Sequence, residues 1–168
     1  TSDFESALRQ YSDLANFLDR VNSYNCLNFA AINARAKITE MKSSSSEKYY
    51  KEAESLFAGE DYGNAISKYK EALRHNNPYK DSIEKIAESY YKIAQKFEAQ
   101  RGFRNAAKNY INANTTIKGY KDSTNKAADL YYSLGSYFLS KQLCRNAWSD
   151  FNEVTKIKPD FKGHKMFS

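Results

Sequence analysis

Hydrophobic residues recur at intervals of three and four positions along most of this chain, which is the spacing of one face of an α-helix. The first such stripe comprises Phe4, Leu8, Tyr11, Leu14, Ala15, Leu18 and Val21. A second stripe covers residues 24–41. The four serines at 43–46 follow it, and we expect them to end this first pair of helices and to cap the next helix. The pattern predicts an all-α protein.

The later stripes come in pairs that are separated by glycine, asparagine or proline. First helices are predicted at 47–58, 82–97 and 123–140, and second helices at 62–75, 103–117 and 146–157. Either Asp81 or Ser82 is expected to cap the helix that follows it. Residues 161–168 have the pattern of a further first helix, either cut short or serving as a cap.

One interval relates these pairs to each other. A pair of tyrosines at 49–50 returns at 90–91 and at 131–132, a step of 41 residues. The same step relates Asn64-Ala65 to Asn105-Ala106 and Asn146-Ala147, and Tyr79-Lys80 to Tyr120-Lys121 and Phe161-Lys162. Periods of about 20 to 50 residues are typical of stacked repeats. We predict a degenerate helix pair at 1–44, three repeats at 45–158, and the start of a capping or further helix at 159–168.

Composition and charge narrow the choice of partner. The net charge is +6, but the cations are interspersed with Asp and Glu as on a solvated helix surface, so we do not expect nucleic acid as the main partner. No apolar run is long enough for a membrane-spanning helix, and no leader is recognisable. Because the chain begins at Thr1 without Met, we expect an excised piece or a processed form.

Small and large residues alternate at a fixed spacing within each repeat. These positions hold Ala53, Leu56, Ala65, Tyr69 and Ala72, then Ala94, Phe97, Ala106, Tyr110 and Ala113, and finally Gly135, Phe138, Ala147, Phe151 and Val154. In this pattern the chain resembles the tetratricopeptide repeat (TPR) family. The resemblance implies a right-handed superhelical stack of antiparallel helix pairs, in which small residues let helices approach closely.

One departure from that family concerns the period, which is usually about 34 residues. The seven extra residues fall at 79–85 and 120–126, so we expect the first helix to be lengthened at its start. The aromatic-Lys-Asp-Ser element there is similar to that of extended bacterial repeat proteins, many of them cell-envelope lipoproteins. This similarity implies a bacterial periplasmic or outer-membrane location, with the cytoplasm as the alternative.

The resemblance also implies a concave groove lined by the first helices, which would hold a peptide or helix of a partner protein. The positions that would face it are Tyr50, Lys51, Glu54, Tyr91, Lys92, Gln95, Tyr132 and Ser136. Tyr50, Tyr91 and Tyr132 would form a ladder of rings and hydroxyl groups across the groove. The alternative is that these tyrosines pack between repeats. Tyr49, Tyr90 and Tyr131 are the expected core members.

Motifs for catalysis are absent from the sequence, so we expect neither an enzyme nor a cofactor or metal site. The two cysteines, Cys26 and Cys144, lack metal-ligand spacing and are expected to be buried. The sequence thus favours a protein-interaction scaffold within a multiprotein assembly. Two rival hypotheses stay open: a spacer or dimerisation segment of a longer solenoid, and an RNA-binding helical-repeat protein.

Overall fold

A computed structural model describes residues 2–20 and 25–161, and these residues form α-helices with no β-strand among them. The helices are α1 (Ser2–Arg20), α2 (Asn25–Ala58), α3 (Tyr62–His75), α4 (Ser82–Ala99), α5 (Phe103–Thr116), α6 (Ser123–Ser140) and α7 (Cys144–Ile157). The prediction of an all-α protein is confirmed. No helix in the described ranges is long and apolar enough to cross a membrane. Most of the helix predicted at 161–168 lies outside the described residues.

The 41-residue interval appears in the backbone itself. Helices α3, α5 and α7 each have 14 residues, and α4 and α6 each have 18, with starts 41 positions apart in both series. The turn that precedes α3, α5 and α7 contains one residue with a φ near +60° in each copy, namely Glu60, Arg101 and Gln142. Helix lengths and starts therefore follow the 41-residue interval, although α7 begins two residues before the predicted Asn146.

The helices pack chiefly against the helices that precede and follow them in the chain. The small residues Ala65 and Ala106 are completely buried, and so are the rings of Tyr69 and Tyr110 one turn later. In the third repeat Gly135 takes the place of an alanine, and a Cβ atom there would lie 2.7 Å from the Phe151 ring. The predicted small-large packing thus holds the helix pairs together.

Helix α2 contradicts the prediction that residues 43–46 separate two helices, because it continues through all four serines. Ser45 and Ser46 are buried, and the Ser46 hydroxyl donates a hydrogen bond to the Ala72 carbonyl oxygen at 2.8 Å. The later repeats have Pro78 and Gly119 in the loop before their first helix, whereas the corresponding position here holds Lys37. Without such a helix breaker the chain stays helical, so the predicted boundary at residue 44 falls inside α2.

Helix α1 packs on α2 and extends the body of the protein at its N-terminal end. Its start is fixed to α3, because the Phe4 ring meets the His75 ring edge-on at 5.4 Å and Glu5 forms a 3.0 Å ion pair with Arg74. Ala15 and Leu18 are buried against α2, while Phe17 stays exposed. The N-terminal pair is thus continuous with the first full repeat.

Candidate functional site

The aromatic-Lys-Asp element before α4 reaches back onto α2. Tyr79 donates a hydrogen bond from its hydroxyl to Glu47, and Lys80 Nζ lies 2.6 Å from Glu47 Oε2. In the opposite direction, the Tyr50 hydroxyl donates to the carboxylate of Asp81. We call this group of five side chains, Glu47, Tyr50, Tyr79, Lys80 and Asp81, the first latch. It joins the first helix of one repeat to the loop that begins the next repeat.

A second latch lies 41 residues further on and has the same connections. Tyr120 and Lys121 both donate to Glu88, and the Tyr91 hydroxyl donates to Asp122 Oδ1 at 2.6 Å. The repetition of all three hydrogen bonds explains what the seven extra residues of each repeat do. They provide a loop that ties neighbouring repeats together, in addition to the packing of their helices.

The local backbone positions these side chains. Lys80 and Lys121 both have a φ of +46°, a left-handed conformation that is unfavourable for residues other than glycine and turns the loop back toward the preceding helix. In that position the Lys80 ammonium lies 4.5 Å from the Tyr50 ring centroid, and that of Lys121 lies 4.7 Å from the Tyr91 centroid. These cation–π contacts offset part of the strain.

Asp81 and Asp122 occupy the N-cap positions of α4 and α6, but their carboxylates make no capping hydrogen bond. Each carboxylate instead accepts the hydroxyl of a tyrosine on the preceding repeat. Of the two candidates, Asp81 and Ser82, the N-cap position belongs to Asp81, and the expected capping hydrogen bond is absent. A residue type that normally caps a helix acts here in the contact between repeats.

The latches are electrostatically well matched. Hydrogen bonds from Lys80 and Tyr79 lower the pKa of Glu47 to about 2. Burial alone would raise the pKa of Glu88, but hydrogen bonds from Lys121 and Tyr120 outweigh it and lower that pKa below its usual value. Burial, together with the hydrogen bond to Asp122, raises the pKa of the Tyr91 phenol to about 12. Carboxylates and phenols are thus held in the protonation states that the hydrogen bonds need.

The predicted tyrosine ladder must be corrected at its centre. Tyr91 is only 7% exposed, lies in the main hydrophobic cluster and uses its hydroxyl within the latch, so it cannot present a free ring face and hydroxyl to a partner. Tyr50 is half-buried and its hydroxyl is engaged by Asp81. Of the expected core members, Tyr131 is buried, whereas Tyr49 and Tyr90 are half-buried. For Tyr91, this placement agrees with the alternative of packing between repeats.

Glu54, another predicted groove residue, is also engaged within the protein. Its carboxylate accepts the hydroxyl of Tyr69 and forms a 3.2 Å ion pair with Lys85. In the next repeat the corresponding residue is Gln95, which is exposed, and Glu98 one turn later accepts the Tyr110 hydroxyl at 2.7 Å. The buried tyrosine hydroxyls therefore find a carboxylate in both repeats, although the carboxylate comes from different positions.

The remaining predicted groove residues are accessible. Lys51, Lys92, Gln95 and Ser136 are exposed on three successive first helices, and we call these four residues the groove row. The two lysines occupy corresponding positions, and each lies near a glutamate four residues earlier, Lys51 Nζ at 3.5 Å from Glu47 and Lys92 Nζ at 3.9 Å from Glu88. The groove row is thus a polar surface whose two lysines lie beside the glutamates of the latches.

The third repeat departs from this pattern at Tyr132. Its ring packs on the rings of Phe151 and Phe161, with centroids 5.6 and 5.3 Å apart. Phe161 stands where the other repeats have Tyr79 and Tyr120, and it has no hydroxyl to donate. The sequence also has Gly163 where the other repeats have an acceptor aspartate. The aromatic packing of the latch is retained here, but the tyrosine–aspartate hydrogen bond cannot form.

An apolar surface lies on α7, at the C-terminal end of the described stack. A cleft of about 340 Å³ is lined by Leu139, Cys144, Ala147, Trp148, Phe151, Asn152 and Thr155, and we call this surface the α7 face. Trp148 is 70% exposed, and Cys144 is exposed and free, which contradicts the expectation that it is buried. Sequence reasoning missed this surface. Its signal was the tryptophan at a position that holds Ile66 and Ala107 in the other repeats.

In the part of the chain that the structure describes, no group of three His, Cys, Asp or Glu side chains is arranged to hold a metal ion. Comparison with models of known protein families gives no match for this chain, and a search of curated proteins finds no similar protein either. The resemblance to tetratricopeptide repeats therefore rests on the small-large residues alone and stays a prediction.

Proposed function

We propose that the protein is a non-catalytic scaffold that binds a peptide or helix of a partner protein along the groove row, within a multiprotein assembly. We further propose that its helix pairs stack in a right-handed superhelix. One observation carries the proposal: the exposed side chains of the groove row lie on three successive first helices whose other faces are used for packing and for the latches. The chain thus has one face for cohesion and another that is available.

The latches give this scaffold a physical advantage. Each latch fixes the loop of one repeat to the first helix of the preceding repeat through Glu47 or Glu88. A surface whose repeats are already fixed loses less conformational freedom when a partner binds, which increases affinity without adding contacts. In this proposal Tyr50 and Tyr91 stabilise the helices that carry the groove row, through their hydrogen bonds in the latches. Residues such as Lys92 and Gln95 contact the partner.

The charges of the groove row favour a protein partner over RNA. Lys51 and Lys92 each have a glutamate within 4 Å, so their positive charge is partly compensated. An RNA backbone is usually met by a continuous basic stripe, and such binding weakens steeply as salt is added. A peptide that carries both donors and acceptors fits this surface better. We therefore expect binding with a shallow salt dependence.

The test begins with a photo-cross-linking residue at position 92, which identifies the partner in extracts of the source cells. Affinity for the purified partner is then measured with the double variant Lys51→Gln/Lys92→Gln and with Lys118→Gln as the matched control. Lys118 is an exposed lysine in the turn after α5, outside the groove row. We expect at least tenfold weaker binding for the double variant and unchanged binding for the control, with equal melting temperatures. Equal affinities for all three proteins would refute the proposal.

The rival hypothesis of a spacer or dimerisation segment is favoured by a different observation, the exposure of Trp148 on the α7 face. In that case the contact would be made by the end of the stack, and the groove-row variants would bind normally. Sedimentation of the chain at increasing concentration separates the two hypotheses. A monomer at all concentrations supports the scaffold, and a concentration-dependent dimer supports the rival.

A further inference from the structure

We propose that a cleft between the second helices of two neighbouring repeats, α5 and α7, binds a carboxylate group. The cleft has a volume of about 520 Å³, which is within the range of small-molecule sites. Six polar side chains from α5, α6 and α7 line it, and we call them the α5–α7 cleft: Arg104, Lys108, Asn112, Tyr131, Asp150 and Glu153. None of the six belongs to the groove row, so this site goes beyond the proposed function.

The cleft lies inside the stack of repeats rather than at its end. Arg104 of α5 meets Asp150 of α7 across it, and Arg104 Nη2 lies 2.6 Å from each carboxylate oxygen. The Asp150 side chain is only 2% exposed, so this ion pair holds the two walls together. The corresponding residues one repeat earlier are Gly63 and Asn109, which cannot form an ion pair. Charged walls are therefore specific to this contact, and packing between repeats does not require them.

A buried hydroxyl without a partner lines this cleft. Tyr131 is 4% exposed, and among the residues that the structure describes its hydroxyl has no hydrogen-bond partner. The corresponding Tyr90 has one, because Lys70 Nζ lies 3.4 Å from the Tyr90 hydroxyl. The position that corresponds to Lys70 holds Ile111, which cannot donate. Buried polar groups are normally hydrogen-bonded, so the unpaired hydroxyl of Tyr131 favours a ligand from outside the chain.

Lys108 gives the cleft an uncompensated positive charge. Its ammonium group is exposed and forms no ion pair with any residue in the described ranges. Both carboxylates on the opposite wall are already compensated. Asp150 is paired with Arg104, and Glu153 Oε1 lies 2.6 Å from Lys156 Nζ. The charge that is left over in the cleft is therefore positive, which favours an anionic ligand.

The groups left unused in the cleft are mainly hydrogen-bond donors. The Tyr131 hydroxyl, the Lys108 ammonium and the Asn112 side-chain amide have no partner in the part of the chain that the structure describes. Burial raises the pKa of the Tyr131 phenol, and the carboxylate of Glu153 acts in the same direction, so the hydroxyl keeps its proton and can donate. A carboxylate offers two acceptor oxygens to such donors, and its charge matches that of Lys108.

The test is an NMR titration of the isotope-labelled chain with succinate, at an ionic strength held constant with sodium chloride. Succinamide, which has a similar size but no charge, is the matched probe. We expect succinate to shift the backbone amide signals around the α5–α7 cleft in a saturable manner, and to bind about tenfold more tightly than succinamide. A glutamate-containing tripeptide with blocked ends is the third probe. Tighter binding of succinate assigns the carboxylate to a small molecule, and tighter binding of the peptide assigns it to an acidic side chain of another protein; both results support the proposal.

Variants separate an effect on binding from an effect on folding. Tyr131→Phe removes only a hydroxyl that has no partner in the described ranges, so it should weaken succinate binding about fivefold and leave the melting temperature unchanged. Lys108→Gln should weaken succinate binding about tenfold. Tyr90→Phe and Lys118→Gln are the matched controls, because the Tyr90 hydroxyl is engaged by Lys70 and Lys118 lies in the turn after α5. Both controls should bind succinate as the parent protein does.

Three results would overturn the proposal. The first is the absence of a saturable shift around the α5–α7 cleft with succinate and with the peptide. The second is succinamide binding as tight as succinate binding, since this would mean that the cleft does not recognise charge. The third is succinate binding that Tyr131→Phe and Lys108→Gln both leave unchanged, which would identify an adventitious ion only. None of these results involves the groove row, so the proposed function can be judged separately.

Discussion

The two internal contacts between repeats and the open end at α7 are built on one 41-residue pattern, yet they have opposite exposure. At the internal contacts Ala107 and Ile66 are covered by the next helix, and the latches tie Tyr50 and Tyr91 to the following loop. At the open end Trp148 points outward. Whether a helix packs on this position therefore decides whether the same repeated backbone presents a buried contact or an exposed surface.

The latches show the same contrast in their hydrogen bonds. Glu88 accepts hydrogen bonds from both Tyr120 and Lys121. In the third repeat, Tyr132 packs against Phe161 by ring contact alone. The ring packing of the latch is thus retained in the third repeat, although its hydrogen bonds are lost. Packing between rings tolerates such a loss, while a buried hydrogen bond needs both of its partners. The contrast predicts graded effects of mutation, from the internal contacts to the open end.

The largest effect on stability is expected when the buried alanine at an internal contact and the exposed tryptophan on α7 are each replaced by the other residue type. Ala107→Trp places an indole at a completely buried position and should lower stability by about 4 kcal/mol or more, or prevent folding. Trp148→Ala should change stability by no more than about 0.5 kcal/mol, because the indole is largely solvated. Urea unfolding of the two variants measures both effects. Similar losses in the two variants would show that α7 is covered as its counterparts are.

A smaller effect is expected where the third repeat packs most tightly. Gly135→Ala puts a methyl group 2.7 Å from the ring of Phe151 and should cost about 1–3 kcal/mol in unfolding free energy. Gly63→Ala is the matched control, since a Cβ atom there meets nothing within 4 Å, and it should stabilise α3 by about 0.5 kcal/mol. A loss of the same size at both glycines would show that the close contact with Phe151 is not its cause, and would contradict the packing explanation.

A smaller loss of stability is expected from the removal of a tyrosine hydroxyl, and it can be compared at two corresponding positions. Tyr91→Phe removes the hydroxyl that donates to Asp122 and should cost about 1 kcal/mol. Tyr132→Phe should cost less than about 0.5 kcal/mol, because the third copy of the latch has glycine in place of the acceptor aspartate. Thermal or urea unfolding of both variants checks the difference. If Tyr132→Phe proved the more harmful change, the latch would not explain the contrast.

The smallest effect concerns pH. The pKa of Glu88 is lower in the folded protein than its usual value, so its contribution to stability is complete above that usual value and is lost as the pH falls through the folded pKa. Stability should therefore decline in the acid range below about pH 4.5, the usual glutamate pKa. Glu88→Gln should make this decline shallower. Unfolding curves at several acid pH values give the slope, and identical slopes would argue against an ionised latch.

Much of this fold could be predicted from the sequence, because glycine, proline and asparagine interrupt helical stripes at regular positions. The bounds of α3, α5 and α6 follow from those residues almost without error. The continuity of α2 was missed because a run of serines resembles a loop, although Lys37 in place of Pro78 and Gly119 was a visible sign. Serine lowers helix propensity only modestly, and the buried bond from Ser46 to α3 supplies the rest.

The site was harder to predict for a physical reason. Periodicity shows that a tyrosine lies on the inner half of a helix, but it does not show whether the hydroxyl meets a partner or the protein itself. The sign was the co-occurrence of Tyr50 with Asp81 and of Tyr91 with Asp122, at an equal separation of 31 residues, and its loss at Tyr132. Exposure of the α7 face follows only from knowing what covers α3 and α5.

Acrylamide quenching of the single tryptophan tests the central contrast most directly. With the chain alone, as a monomer, we predict that Trp148 is quenched nearly as efficiently as a free indole, as befits a side chain that is 70% exposed. A quenching constant typical of a buried tryptophan would show that α7 is covered as α3 and α5 are, and it would contradict the account of one open and two closed faces.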